Sequence, residues 1–325
     1  MTGLDGYATL HDYIIGITER IWEGRGLHLI RRWYAPDCLM HTPSGPVRGA
    51  DAVVQGTLET LHTFPDRELL GEDVIWSDDG AAGLLSSHRI ASTMTHAGEG
   101  LFGPPTGRQI TTRTVADCMV RDGVIVEEWL VRDQAGMALQ LGLDPAAHGR
   151  RLGAADAAAG RAAWHLPALA AIRRGEPEAG AVRHAHPAAE ALAATLEATV
   201  NRTEISALHA LHDRAVALHL PGALSANGMR ALDGFVIGYL AAFPDARLVV
   251  DHCVALEEPG RPVRVAARWR LAGTHAGHGA FGAPSGAEVL VMGITHAEFS
   301  GPRIARAFWL VDELALHRMI GARIG

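Results

Sequence analysis

The sequence predicts an α+β chain of two tandem cone-shaped domains, each with about three helices packed on a curved, mostly antiparallel sheet. Three observations carry that expectation. The length of 325 residues suits two domains of ordinary size. The segment THAGEGLFGPPTG at Thr95–Gly107 recurs as THAGHGAFGAPSG at Thr274–Gly286, alike at nine of thirteen positions, which marks an internal duplication. Within each copy, stretches of helical apolar spacing come first, and β-branched, aromatic-rich stretches follow.

The offset of 179 residues between the two glycine-rich segments also relates Phe64-Pro65-Asp66 to Phe243-Pro244-Asp245 and Gly142 to Gly321. Gaps of one residue pair His41 with His219, Trp129 with Trp309 and Asp133 with Asp312. In the first copy, helical spacing covers 7–22, 26–34 and 50–63, and the Phe-Pro-Asp turn stops the last of these. Strands are expected near 68–77, 81–96, 109–121 and 123–133, separated by the turn signals Asp78-Asp79-Gly80, Gly103-Pro104-Pro105 and Asp122-Gly123, with a closing helix over 134–142. The second copy repeats the order, with helices over 187–200, 203–218 and 228–242 and strands near 246–256, 262–275, 287–299 and 303–312. The domains are therefore placed at 1–145 and 187–325, joined by an alanine-rich helical linker, 146–186, that loosens at GEPEAGAVRHAHP.

Composition removes several function classes. Hydrophobic residues make up 48% and charged residues 20%, enough apolar material for two cores. The net charge of −7 offers no basic footprint for a nucleic-acid backbone. All 29 basic residues are arginine, so no lysine exists to hold a nucleotide phosphate or form a Schiff base. Cys38, Cys118 and Cys253 are too scattered for a CxxC pair or a disulfide framework, which favours a reduced, cytoplasmic setting. The start MTGLDGYATLHDY is acidic where a signal peptide is basic, and no long apolar run appears, so neither export nor a membrane is expected.

The segments HTPSGPVRG at 41–49, the Phe-Pro-Asp turn, THAGEGLFGPPTGRQI, DGVIVEEW and the closing VRDQAGMALQLG resemble the SnoaL-like polyketide cyclases, a branch of the nuclear-transport-factor-2-like superfamily. The resemblance covers about 8–142 well and about 187–321 less well. It implies a cone with an internal pocket and, for the enzymes, a cofactor-free intramolecular aldol ring closure with an aspartate of the last strand as general acid/base. Asp133 stands at the matching place. Relatives are commonly single domains that associate through their sheets, so the tandem copies are expected to form an intrachain pseudo-dimer, with further homo-oligomerisation open. The superfamily also holds isomerases, epoxide hydrolases and non-catalytic binding proteins, so fold alone does not decide the chemistry.

By the two-residue period, Ile125, Glu127, Trp129, Val131 and Asp133 share one strand face. If that face lines the cone, Asp133 sits at its rim or floor as the acid/base; alternatively it caps the helix that follows. His41 and His96 are the other catalytic candidates, to orient substrate or stabilise an oxyanion, or else they are histidines kept for structure. Trp129, His88, His219, His275, Trp309 and Asp312 are candidates for binding a small-molecule substrate. No cofactor and no metal are expected, because His184-Ala185-His186 lacks a regularly spaced third ligand. The first copy is the expected active one, since the second replaces His88 by Ala267 and loses Glu127 and Glu128. The readings left open are a cyclase-type enzyme working through an enolate, a non-catalytic binding protein and an epoxide-opening hydrolase.

Overall fold

The chain divides into two compact units, Met1–Arg132 with Gly136–Leu143, and Asp133–Ala135 with Asp144–Gly325. The computed structural model describes residues 4–323.

In the first unit, Thr9 accepts from the Asp12 amide and starts α1 (Leu10–Thr18), which turns Leu10, Tyr13, Ile14 and Ile17 inward at helical spacing. A π-helical turn, Glu19–Glu23, prolongs it. The single turn α2 (Ile30–Trp33) leads into the hairpin β1 (Tyr34–Thr42) and β2 (Gly45–Arg48), followed by α3 (Ala50–Thr63). Then come β3 (Leu70–Asp78), β4 (Leu84–Thr95), β5 (Gln109–Arg121), β6 (Val124–Arg132) and α4 (Gln134–Leu141). The sheet order is β2-β1-β6-β5-β4-β3, antiparallel apart from the β1–β6 pair. Thus β1 and β2 add two strands to the four expected.

The second unit begins with α5 (Pro145–Ala158), α6 (Leu166–Arg173) and the short β7 (Val182–Arg183). It continues through α7 (Pro187–Asn201), α8 (Ser206–Leu211), β8 (His212–Leu220), β9 (Leu224–Asn227), α9 (Met229–Ala242), β10 (Arg247–Leu256), β11 (Arg264–Thr274), β12 (Glu288–Ser300), β13 (Arg303–Val311) and α10 (Glu313–Ala322). Its sheet order is β7-β10-β11-β12-β13-β8-β9. The expected helix over 203–218 is corrected: helix ends at Leu211 and β8 replaces it, because Val216, Leu218 and Leu220 alternate inward along a strand paired with β13. Segment 146–186 is helical in α5 and α6. At Gly153 an added Cβ would come within 1.9 Å of the Arg318 carbonyl, so α5 lies close against α10, and Asp156 binds the Arg318 guanidinium. Strand β7 pairs in parallel with β10.

One irregularity in β6 governs which side chains face inward. Glu127 pairs with Met119 and Ile125 with Val120, so Val126 has no partner on β5 and forms a bulge. Beyond it, Glu128, Leu130 and Arg132 lie opposite Cys118, Ala116 and Thr114. Glu127, Trp129 and Val131 turn to the other face. The second sheet repeats the bulge at Ala305, between Ile304 and Arg306.

The interior of the second sheet is closely filled. Trp269 donates to Thr295 Oγ1 at 3.0 Å and packs with Trp309 at 6.4 Å between ring centroids. Opposite it, an added Cβ at Gly293 would fall 2.2 Å from the Trp269 ring. Gly293→Ala is therefore expected to cost roughly 1–3 kcal/mol in urea unfolding, the usual overpacking penalty. Gly234→Ala, at an exposed position in α9 with no atom within 4 Å of the new Cβ, is expected to stabilise by up to about 1 kcal/mol. Equal effects of the two changes would refute this account of the packing.

Candidate active site

The first unit encloses a cavity of about 410 Å³ between the concave sheet face and helices α1 and α3. Its apolar wall includes Ile14, Ile17, Met40, Val53, Ile90 and Leu130. Set into that wall are Tyr34, Arg67, His88, Glu128 and Arg132. Each is held there by its element. Glu128 and Arg132 come from β6 beyond the bulge, and His88 lies opposite Ala116 on β4, on the same face. Tyr34 opens β1 opposite Ile125. Arg67 follows the Phe-Pro-Asp turn, which is clamped where Asp66 accepts from the Thr95 amide at 2.7 Å and the Arg67 amide donates to the Phe64 carbonyl at 3.2 Å.

Burial controls the ionisation of these groups. It pushes the Glu128 carboxyl up from 4.5 to about 7, against the opposing effects of the Tyr34 hydroxyl and the Arg132 charge. Tyr34 rises well above its ordinary range through burial and then the nearby Glu128 charge. His88 falls to about 4 through burial, so its ring is neutral at pH 7. Its Nε2 and Glu128 Oε2 are buried without a hydrogen-bond partner among the described residues. A carboxyl half-ionised near neutrality beside a neutral imidazole and two guanidinium groups can exchange a proton and receive negative charge.

Of the catalytic and binding candidates named from the sequence, His88 lines this cavity, as does Glu128, noted there as one of the groups that the second copy lacks. The strand face carrying Glu127, Trp129 and Asp133 is not the lining face, because the bulge at Val126 reverses the phase of β6. The Asp133 carboxylate accepts from the amides of Gly222 and Ala223 at 3.0 and 2.7 Å, in the tight turn between β8 and β9. Ala223 has φ +58, so these two bonds hold a turn in the left-handed region. His41 stacks on Trp129 at 5.1 Å and binds Glu127 Oε1 at 2.7 Å. His219 likewise stacks on Phe308 at 4.5 Å and meets Ser225 Oγ at 3.0 Å. His96 accepts from the Thr106 amide at 3.3 Å, and His275 meets Ser285 Oγ at 3.0 Å. Each of these last two rings closes its own glycine-rich loop, and burial lowers the pKa of both. Asp312 caps α10 by accepting from the Ala315 amide at 3.2 Å.

Trp309 lines the second unit's cavity, which is about 40 Å³. Strand registers show why it is small. Ala307, Trp309 and Val311 occupy the places of Glu128, Leu130 and Arg132, so the pairing of Trp129 with Trp309 is corrected to Trp129 with Phe308, while Ala267 and Trp269 stand for His88 and Ile90, and Gly293 for Thr114. His212 replaces Tyr34, and Ala246 follows the turn where the first copy has Arg67. Two indoles occupy the room, and the ionisable set survives only as His212. Sequence reasoning missed Arg67, Tyr34 and Arg132, although the exchange of Arg67 for Ala246 behind a duplicated turn was a readable signal.

Fold and cavity define a class: α+β cone domains in tandem, the first enclosing a small-molecule pocket with buried ionisable groups. The sequence profile of the SnoaL-like polyketide cyclases matches residues 13–141 and again 190–320, and the chain belongs to that family. Similar solved structures include IdmH from Streptomyces antibioticus, a candidate polyketide cyclase, at 31% identity over 41% of this chain and 98% of that one, with a TM-score of 0.36. AclR from Streptomyces galilaeus, a candidate hydroxylase, has 24% identity over 40% of this chain and 92% of its own, with a TM-score of 0.35. A candidate SnoaL-like polyketide cyclase from Jannaschia sp. CCS1 has 19% identity over 43% of this chain and 99% of its own, with a TM-score of 0.34. No curated protein matches the chain. Among the described residues, no group of three or more His, Cys, Asp or Glu side chains could hold a metal ion, and no helix is long and apolar enough to cross a membrane.

A raised carboxyl pKa links stability to pH. The stability that protonated Glu128 confers is complete below about 4.5 and is lost as pH rises through about 7. Glu128→Gln removes that loss. Its stability relative to the unsubstituted chain is expected to improve by roughly 3 kcal/mol between pH 4.5 and pH 8. Urea unfolding at pH 5 and pH 8 measures the difference, and a gap independent of pH would contradict the assignment.

Proposed function

We propose that the first domain is a cofactor-free enzyme of the polyketide cyclase type, removing a proton from carbon beside a carbonyl and handling the enolate within its cavity. The observation that carries this reading is the buried Glu128 carboxyl, poised at about 7 in the wall of a 410 Å³ cavity. As carboxylate it takes the proton; as carboxylic acid it returns one after the ring-closing bond forms. Neutral His88, its Nε2 without a protein partner, and the Arg132 guanidinium are suited to receive the negative charge that develops on oxygen. The Tyr34 hydroxyl lies close enough to the Glu128 carboxyl to favour its charged form. Asp133, for which the family resemblance supplies an acid/base role, is engaged with the amides of Gly222 and Ala223 in this chain.

The second domain, with its filled interior and only His212 left of the ionisable set, is read as a structural partner without chemistry of its own. A positioned general base contributes about 10²–10⁴ in rate, which is sufficient for a substrate whose C–H is already acidic.

Deuterium incorporation into ethyl 2-naphthoylacetate in D₂O, followed by NMR, tests the reading on the full chain. The protein is expected to accelerate exchange, and Glu128→Gln to reduce the acceleration by about 10² or more. Asp133→Asn is expected to change it by less than about threefold, and the rate of the unsubstituted protein is expected to rise through an ionisation near pH 7 that is missing in Glu128→Gln. A large loss confined to Asp133→Asn would overturn the assignment of the base. Absence of any acceleration would favour a binding protein.

A further inference from the structure

Arg67 is unusual among the charged groups of the first domain. Only 5% of its surface is exposed, it lines the cavity, and its guanidinium has no hydrogen bond or ion pair with any described residue. The carboxylate that acts on it is Glu23, whose Oε1 is already bound to the Leu69 amide at 2.6 Å. Two further cations, Arg132 and Arg25, lie close enough to disfavour its charge, and Arg25 is itself bound to the carbonyls of Trp22 and Pro65. An arginine does not give up its proton under ordinary conditions, so a buried and unpaired guanidinium is a cost to folding that a bound anion removes.

We infer that the Arg67 end of the first-domain cavity binds a carboxylate carried by the substrate, whose apolar body lies along Ile14, Ile17, Val53 and Ile90 toward Glu128. The inference rests on the cavity being the working site and adds the chemical class of its ligand: an apolar, carbonyl-bearing molecule with one free carboxylate. The charge balance selects a monoanion, because one cation is left without a partner. The planar guanidinium fork matches the two oxygens of a carboxylate. The second domain supports the assignment by contrast, since Ala246 replaces Arg67 in the copy whose interior is filled by Trp269 and Trp309. Arg132 acts on both Arg67 and Glu128, so its charge is within reach of the anion site and of the proton-transfer group.

Calorimetric titration of the full chain with 2-naphthoate and with methyl 2-naphthoate at pH 7.5 tests this. The acid is expected to bind at least tenfold more tightly than its neutral ester. In Arg67→Met the preference is expected to fall below about twofold while ester affinity stays within about threefold, which shows that the cavity has kept its shape. Arg67→Lys, which keeps the charge and loses the fork, is expected to fall between the two. Equal binding of acid and ester, no binding of either, or a tenfold preference that survives Arg67→Met would each overturn the inference. Because binding is read without turnover, a carboxylate preference that persists when deuterium exchange is absent would leave the anion site standing and remove only the enzymatic reading.

Discussion

Val126, the one residue of β6 without a partner on β5, sets the phase of the strand on which the first domain's chemistry depends. Side chains in a strand alternate, so a single extra residue exchanges the two faces for everything beyond it. Without the bulge, Glu127 and Trp129 would point into the cone, and Glu128, Leu130 and Arg132 would point away. With it, the carboxyl lies in the dry interior, while Glu127 pairs with His41 on the other face beneath its stacking contact with Trp129. The bulge at Ala305 shows that this phase is a property of the fold common to both copies.

Given that phase, the two domains spend the same space differently. In the first, the inward positions hold Tyr34, Arg67, His88, Glu128 and Arg132, groups that are costly to bury and that leave a cavity of about 410 Å³ unfilled. In the second, the matching positions hold His212, Ala246, Ala267, Ala307 and Val311, and the freed room is taken by Trp269 and Trp309. Gly293 is where the Trp269 ring lies over β12, since any Cβ there would collide with the indole. One copy thus carries the internal stress of buried charge, and the other is a closely packed apolar core.

Much of the fold was legible because its signals are local and repeated. The two THAG segments, the two Phe-Pro-Asp turns and the switch from helical to alternating spacing appear in the chain itself and correspond to loops, helix ends and strands in both units. The strand β8 was not legible, because Ser206–Leu220 reads as helix until its pairing with β13 is known. The site was harder. VIVEEW gives no local sign that Val126 is unpaired, so simple alternation favours the face with Asp133 over the one with Glu128. The recurring histidines are explained by packing: His41 and His219 rest on aromatic rings of the neighbouring strand, and His96 and His275 close their loops. Repetition between the copies recorded what the architecture needs, whereas the candidate chemistry lies among the residues that differ.

The paired indoles of the second domain also give the chain a built-in optical label. Trp269 and Trp309 lie 6.4 Å apart at 62° in a rigid apolar setting, with the Trp269 N–H fixed by Thr295. Two identical chromophores held at that separation and angle couple their transitions, and the coupling vanishes when either ring is released. The far-ultraviolet circular dichroism of the chain therefore carries a coupled-indole component that belongs to the second domain's interior, so the loosening of that packed core has its own spectral signature within the intact polypeptide.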